Sequence, residues 1–177
     1  MPGQPPAEAP FEAFAQCGER LLLIGGNAMI AYGSQRLTQD CDCAVVAQNE
    51  RMVAAVLEPL GYVFKENYGP FARYVHLGGQ RPVVDVMLLN AGTFGNLLAQ
   101  SQVIELSGVQ LRAPKPLHLV ALKLHALKQN PARLGKDWED IKFLLGKFAW
   151  KREELSQLAA RYGSEETAAL LRQEHFL

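Results

Sequence analysis

The sequence predicts an α+β fold, in which a mixed β-sheet with a few helices is followed by a helical region. Two observations carry this prediction. Strand-like apolar segments alternate with helix-like segments up to residue 113, and Pro114 and Pro116 then interrupt the chain before a stretch with helical spacing alone. We therefore expect a flexible Pro-rich tail at residues 1–10, a core at 11–113 and a helical subdomain at 114–177.

The core elements follow from local patterns. The predicted strands are short apolar or alternating segments bounded by turn residues, and they span 20–24, 40–47, 62–66, 74–77, 83–89, 103–106 and 109–113. The GGQRP segment at 78–82 and the Ser107-Gly108 pair predict two hairpin turns. The predicted core helices have apolar residues three and four positions apart, and they span 11–17, 27–32, 50–60 and 93–100.

The helical subdomain has four predicted helices, at 117–129, 136–148, 152–162 and 165–173. The first two have apolar stripes that we expect to face the core. These stripes consist of Leu117, Val120, Leu124 and Leu127, and of Ile141, Leu144 and Leu145.

Composition limits the class of protein. Lys plus Arg equals Asp plus Glu in the 177 residues, so a zero net charge gives no support for broad, nonspecific nucleic-acid binding. The odd count of three cysteines, Cys17, Cys41 and Cys43, argues against a disulfide framework. No apolar run reaches about 18 residues and no signal segment begins the chain, so we expect no membrane partner and a cytoplasmic location.

Paired carboxylates on one predicted strand indicate a metal site. Asp40 and Asp42 are two residues apart, so both side chains lie on one face of the strand, and Cys41 and Cys43 lie on the other as small core residues. A hard divalent cation with oxygen ligands is the usual way to offset the repulsion between such acids, and Mg²⁺ is the usual ion near phosphates. Asp85 lies in another apolar strand, where an acid is unfavourable unless it is paired or metal-bound.

A glycine pair precedes this strand. Gly25 and Gly26 stand between a predicted strand and a helix, where backbone N–H groups can approach an anion at the positive end of the helix. Together with the acids, this turn indicates metal-assisted nucleotide chemistry. An ordinary tight strand-to-helix turn is the alternative interpretation.

These motifs resemble the nucleotidyltransferase superfamily typified by DNA polymerase beta, and within it the minimal AbiEii-type enzymes, which are toxins of toxin–antitoxin pairs. The positions that match the pattern G-G-x-A…Y-G…R-x-T-x-D-x-D are Gly25, Gly26, Ala28, Tyr32, Gly33, Arg36, Thr38, Asp40 and Asp42. The resemblance covers about residues 21–145. Gly-Gly here replaces the Gly-Ser of many members, and cysteines replace aliphatic or aromatic residues, which affects the substrate assignment more than the fold.

The resemblance implies roles for these residues. Asp40 and Asp42 would bind two Mg²⁺ ions, with Mn²⁺ as an alternative, and Asp85 would serve as ligand or base. It also implies that the nucleotide lies in a cleft between the core and the helical subdomain. The residues assigned to nucleotide binding in the core are Gly25, Gly26, Asn27, Arg36 and Thr38. A surface ion pair is an equal alternative for Arg36.

The helical subdomain supplies further candidates. Related proteins have a lysine on the first helix after the core that contacts the triphosphate, and Lys123 is the match, with Lys128 next. Lys136, Asp137 and Asp140 resemble a later family motif, and we assign Asp137 to the nucleotide site. Asp137 near a helix start is equally suited to capping that helix.

The resulting hypothesis is an enzyme that moves a nucleoside monophosphate from an NTP to an acceptor hydroxyl and releases pyrophosphate. A toxin-like protein would act on RNA or protein and pair with an antitoxin, whereas an antibiotic-modifying enzyme would act on a small molecule. A non-catalytic nucleotide-binding protein of the same fold is a second alternative. An unrelated α+β binding module is a third, and it predicts that Asp85 lies far from Asp40 and Asp42. A metal site of His76, His118 and His125 is conceivable, although their spacing does not require it.

Overall fold

The computed structural model describes residues 8–177, which form two compact units. The first unit ends at Pro114, and the second runs from Lys115 to Leu177. Most of the predicted tail, residues 1–7, lies outside the described residues. The structure combines a mixed β-sheet with α-helices, which confirms the predicted α+β class.

The first unit is built on a five-stranded mixed sheet. Its strands are β1 Leu22–Ile24, β2 Asp40–Val46, β3 Tyr62–Tyr68, β4 Phe71–His76 and β5 Val83–Leu89. Their order across the sheet is β1-β2-β5-β4-β3. The central pair β2–β5 is parallel, and every other neighbouring pair is antiparallel.

Four helices and a separate hairpin complete the first unit. They are α1 Phe11–Gln16, α2 Gly25–Ala31, α3 Glu50–Leu57 and α4 Ala91–Ala99, with strands β6 Gln102–Leu106 and β7 Val109–Ala113. The predicted turn between β6 and β7 is confirmed. Ser107 and Gly108 have φ angles of 53° and 77°, and two successive positive φ angles favour a tight hairpin with the twist of its strands.

The two faces of the sheet are covered differently. Cys41 and Cys43 are buried on one face, as the alternation predicts. Tyr74 of β4 lies on this face and donates a hydrogen bond to Glu50 at the start of α3, which therefore packs there. On the opposite face α4 covers one end of the sheet, where Leu22 packs with α4 side chains. The rest of that face carries the acidic residues.

The entrance to α2 differs from the prediction. Residues 18–20 form a 3₁₀ turn, so β1 begins at Leu22 and not at residue 20. The helix begins at Gly25, directly after the strand, and not at residue 27. Gly25 has a φ of 61°, a left-handed conformation that residues with a Cβ seldom adopt, and this conformation turns the chain sharply from strand to helix.

The second unit is helical. Its helices are α5 Pro116–Gln129, α6 Leu134–Lys147, α7 Arg152–Tyr162 and α8 Glu165–Gln173. Helix α5 packs against α6 and α7, and every residue of the two predicted apolar stripes is buried. Ser164 caps α8 through a reciprocal hydrogen-bond pair with Thr167. Among residues 8–177, no helix is both long enough and apolar enough to cross a bilayer.

Candidate functional site

Three aspartates converge on the face of the sheet that carries the acidic residues. Asp42 of β2 and Asp85 of β5 are register partners in the parallel pair, and Asp40 lies two residues before Asp42 on the same face. One carboxylate oxygen from each lies within 4.8 Å of the others. The unrelated-module alternative predicted that Asp85 would be distant, and that expectation is wrong.

The donor set of this aspartate triad fits a hard divalent cation. It consists of carboxylate oxygens alone, which suit Mg²⁺ or Mn²⁺ better than softer ions. Asp40 and Asp42 are partly exposed, so solvent reaches the cluster. Among the described residues, these three aspartates form the cluster of potential metal ligands. The conceivable site of His76, His118 and His125 does not form among those residues.

Asp85 is held by an arginine on the neighbouring strand. Arg73 of β4 is its register partner, and the guanidinium binds both carboxylate oxygens, with Nε 2.8 Å from Oδ1 and Nη2 2.9 Å from Oδ2. Asp85 is only 4% exposed, so this bidentate pair offsets much of the unfavourable burial of the acid. The hydrogen bond to Asp85 raises the pKa of Arg73.

Tyr68, near the end of β3, extends this pair. Its hydroxyl lies 3.2 Å from Nη2 of Arg73, and the centre of the guanidinium lies 4.5 Å from the centroid of its ring. The ring stacks on Phe71 with centroids 5.3 Å apart. Burial and the neighbouring Asp85 carboxylate raise the pKa of Tyr68, so the phenol stays protonated and available to hydrogen-bond.

Asp40 is fixed by two residues that were assigned to nucleotide binding. The Thr38 hydroxyl donates to Oδ1 of Asp40 at 2.7 Å, and Nδ2 of Asn27 donates to the Asp40 carbonyl oxygen at 2.9 Å. Both side chains therefore set the position of Asp40 at the start of β2. Their direct contact with a nucleotide stays a prediction.

The glycine pair is required by close packing against the acids. A Cβ at Gly25 would collide with the Asp42 carboxylate, and a Cβ at Gly26 would lie 2.5 Å from the Thr38 hydroxyl oxygen. Because a side chain would not fit at either position, glycine is needed at both. The glycine turn and the triad thus form one packed assembly at the point where β1 enters α2.

The candidates of the second unit form a separate cluster of charges. Nζ of Lys123 lies 2.5 Å from Oδ2 of Asp140 and 3.3 Å from Oδ1 of Asp137, while Nε of Arg133 lies 2.7 Å from Oδ2 of Asp137. Burial raises the pKa of Asp137, but the hydrogen bond from Arg133 and the charge of Lys123 more than offset that effect, and the pKa lies below its ordinary value. Contacts of Lys123 and Asp137 with a nucleotide stay predictions.

The remaining basic candidates lie nearer the surface. Lys128 is exposed in the last turn of α5, and Arg36 is half-buried in the segment between α2 and β2. Either side chain is long enough to reach an anion outside its own element. Their assignment to nucleotide binding also stays a prediction.

The cysteines have the predicted structural role. Cys17, Cys41 and Cys43 are free and buried. Burial, together with the nearby charges of Asp42 and Asp40, raises the pKa of Cys41, which keeps the thiol protonated and unreactive.

Comparison with known proteins identifies the fold. The solution structure of the antibiotic-resistance factor ANT(2'')-Ia matches over 94% of this chain and 95% of its own, with 16% identity and a TM-score of 0.64. A crystal structure of the same protein in complex with adenylyl-2''-tobramycin matches over 85% and 92%, with 16% identity and a TM-score of 0.65. The lincomycin-bound lincosamide adenylyltransferase LnuA matches over 72% and 87%, with 18% identity and a TM-score of 0.50.

The likeness is one of three-dimensional structure. No protein-family model and no curated protein matches the sequence. At these identities, the comparisons establish that the chain has the nucleotidyltransferase fold.

Proposed function

We propose that this protein is a metal-dependent nucleotidyltransferase, which moves a nucleoside monophosphate from an NTP to an acceptor hydroxyl and releases pyrophosphate. The convergence of Asp40, Asp42 and Asp85 within 4.8 Å, packed against a glycine turn, is the observation that carries the proposal. Acids at this spacing repel one another, and a bound divalent cation relieves that repulsion. The fold of the structures that match supports the same reaction class.

The reaction requires an acceptor oxygen to attack the α-phosphorus while the bond from that phosphorus to the departing pyrophosphate breaks. Asp40, Asp42 and Asp85 would hold one or two divalent ions, Mg²⁺ in the first instance, and bound ions would neutralise the phosphate oxygens and the leaving group. Asp85 would also accept the proton of the acceptor hydroxyl.

The other predicted residues would bind the nucleotide. The backbone N–H groups of Gly25, Gly26 and Asn27 would donate to the β- and γ-phosphates at the start of α2. Arg36 would contact the phosphates as well, and Thr38 would act on the same site through its bond to Asp40. In the second unit, we assign Lys123, with Lys128 next, to the triphosphate, and Asp137 to the nucleotide site.

Two acceptor classes follow from different observations. The R-x-T-x-D-x-D run and its AbiEii resemblance favour RNA or protein, and with them an antitoxin partner and a cytoplasmic location. The solved structures favour a small hydroxylated molecule, because ANT(2'')-Ia was solved with adenylylated tobramycin and LnuA with lincomycin, and both match this chain over most of their length. We regard the small molecule as the better supported acceptor.

The test is transfer of label from each of the four α-phosphate-labelled NTPs, with Mg²⁺ or Mn²⁺. Cell-extract RNA, cell-extract protein and a panel of hydroxylated antibiotics serve as separate acceptors. Asp42→Asn should lower transfer at least about a hundredfold, because it removes a proposed ligand from both ions. Glu12→Gln, at an exposed position of α1, makes the same chemical change outside the triad, and we expect it to be fully active.

Each outcome decides one part of the proposal. Label that depends on metal and on Asp42 identifies the acceptor class and the preferred base together. Equal activity in Asp42→Asn and wild type would refute the metal assignment. NTP binding without transfer to any acceptor would favour the non-catalytic alternative.

A further inference from the structure

A row of charged residues crosses four strands of the sheet. Asp42 of β2, Asp85 of β5, Arg73 of β4 and Glu66 of β3 are successive register partners. Residues in register on neighbouring strands point to the same face, so Arg73 extends the aspartate triad towards the edge of the sheet. Sequence patterns within single strands do not show this row.

Arg73 already uses both oxygens of Asp85. A bidentate guanidinium–carboxylate pair has a fixed planar geometry and two charge-assisted hydrogen bonds, at 2.8 and 2.9 Å here. The same carboxylate contributes an oxygen to the triad. A divalent ion bound there would lie beside a positive guanidinium, and two cations that share one carboxylate repel each other.

Arg73 also has a second partner outside the triad. Its side chain is 32% exposed, and the Tyr68 hydroxyl and ring lie within contact distance of the guanidinium. Tyr68 itself is 38% exposed at the edge strand. Tyr68 therefore offers the guanidinium a second hydrogen-bond partner and an aromatic face when a metal ion takes its place on Asp85.

We propose that Arg73 competes with the divalent ion for Asp85. The site would then bind metal weakly in the absence of nucleotide and more tightly once the phosphates of the nucleotide add negative charge. This inference rests on the proposed function, since it concerns the same metal site. Arg73 would thus act through Asp85 and control how tightly the site binds metal. It would make metal binding depend on the presence of substrate.

The experiment is a Mn²⁺ titration without nucleotide, in which the spectroscopic signal of free Mn²⁺ is followed. Arg73→Met keeps an unbranched apolar stem and removes the charge, and we expect it to bind Mn²⁺ roughly three- to tenfold more tightly than wild type. Arg112→Met is the matched control, because Arg112 also pairs with a carboxylate, that of Glu19, outside the triad. We expect it to bind Mn²⁺ as wild type does. The gain should vanish when Arg73→Met is combined with Asp85→Asn.

A purely structural role predicts a different result. A folded Arg73→Met protein with unchanged or weaker Mn²⁺ affinity would overturn the inference. If loss of the charge prevents folding, Arg73→Lys keeps a cation near Asp85 but loses the bidentate geometry, and it should show a smaller gain in the same direction. No gain in Arg73→Lys would then reject the competition.

The inference and the proposed function fail in different ways. Label transfer that depends on Asp42, without a gain in Arg73→Met, would reject only the competition. A gain in Arg73→Met without any label transfer would reject catalysis and keep the competition. No Mn²⁺ binding by any variant would reject both.

Discussion

Two clusters of aspartates and basic residues, one in each unit, differ in how completely their charges are satisfied and in how far they are buried. In the second unit, Asp137 and Asp140 are buried, and Lys123 bonds to both of them. In the first unit, Asp40 and Asp42 stay partly exposed, and Arg73 bonds to Asp85.

The difference separates charges that hold a fold together from charges that are arranged for a ligand. The cluster around Lys123 joins α5 to α6 with cations that belong to the chain, so removal of Lys123 takes a close partner from two buried carboxylates. The triad brings three carboxylate oxygens together, and their repulsion is relieved best by a cation from solution. Five substitutions test this contrast, the last of them as a function of pH.

Lys123→Met should have the largest effect on stability. The substitution leaves Asp137 and Asp140 without their shared ammonium, and loss of one partner from a buried ion pair typically destabilises a protein by about 3–5 kcal/mol. The measurement is chemical denaturation. Lys142→Met is the control, because Lys142 pairs with exposed Glu139, and we expect a much smaller loss of stability. Equal losses in the two variants would contradict a structural role for the cluster.

If Lys123→Met folds, NTP titration of the same protein tests the predicted triphosphate contact. An unchanged NTP affinity would move that role to Lys128, which lies exposed on the same helix.

Gly25→Ala should have the next largest effect, and it should lower both the stability of the chain and its affinity for metal. Alanine would have to adopt the left-handed backbone of this position, and its Cβ would collide with the Asp42 carboxylate. We therefore expect the free energy of unfolding to fall by about 1–3 kcal/mol and Mn²⁺ binding to weaken. Gly95→Ala in α4 meets no neighbouring atom and should stabilise the chain by about 0.5–1 kcal/mol. Wild-type Mn²⁺ affinity in Gly25→Ala would show that the turn and the triad are independent.

Asp40→Asn should change the stability of the metal-free protein by less than about 1 kcal/mol, and any change should be a gain. The amide oxygen still accepts the hydrogen bond from Thr38, while one negative charge leaves the triad. Asp85→Asn should instead destabilise the chain by about 1–3 kcal/mol, because the bidentate pair with Arg73 is lost. Thermal melts in a metal chelator measure both, and a large loss in Asp40→Asn would show that the triad is a structural element.

The smallest effect concerns pH. The pKa of Asp137 in the folded chain lies below its ordinary value of 3.8, so its contribution to stability is complete above that value and is lost as the pH falls through the lower folded pKa. The difference in melting temperature between wild type and Asp137→Asn should therefore narrow in that acidic range. A constant difference for Asp137→Asn across that range would contradict the linkage.

The sequence was sufficient to predict the parts of this molecule that depend on local periodicity. Alternation along one strand placed Asp40 and Asp42 opposite Cys41 and Cys43, and the structure confirms that arrangement. The boundaries of α7 and α8 agree with the prediction, and Gly163 and Ser164 between them mark the end of α7 and the capped start of α8. The β1–α2 boundary did not agree, since a left-handed Gly25 starts the helix earlier than its apolar spacing suggests.

Partners that depend on the register between strands or on the packing of helices could not be predicted. The predicted strand began at residue 74 and left Arg73 outside it, whereas β4 begins at Phe71. No local pattern showed that β4 lies between β3 and β5 or that Arg73 faces Asp85. Likewise, the stripe on α5 placed Lys123 beside the core, but its bonds to Asp137 and Asp140 depend on how α6 packs. The proposed contacts of Lys123 and Asp137 with a nucleotide stay predictions.

The buried cysteines of the first unit can be used to measure how often that unit opens locally. All three thiols of the chain precede Pro114, and the fold shields each of them from solvent. A thiol reagent can therefore modify the native protein only during rare excursions that expose α1 or β2, so the labelling rate measures the free energy of those excursions. Slower labelling on addition of Mn²⁺ or NTP would reveal binding to this unit without any knowledge of the acceptor.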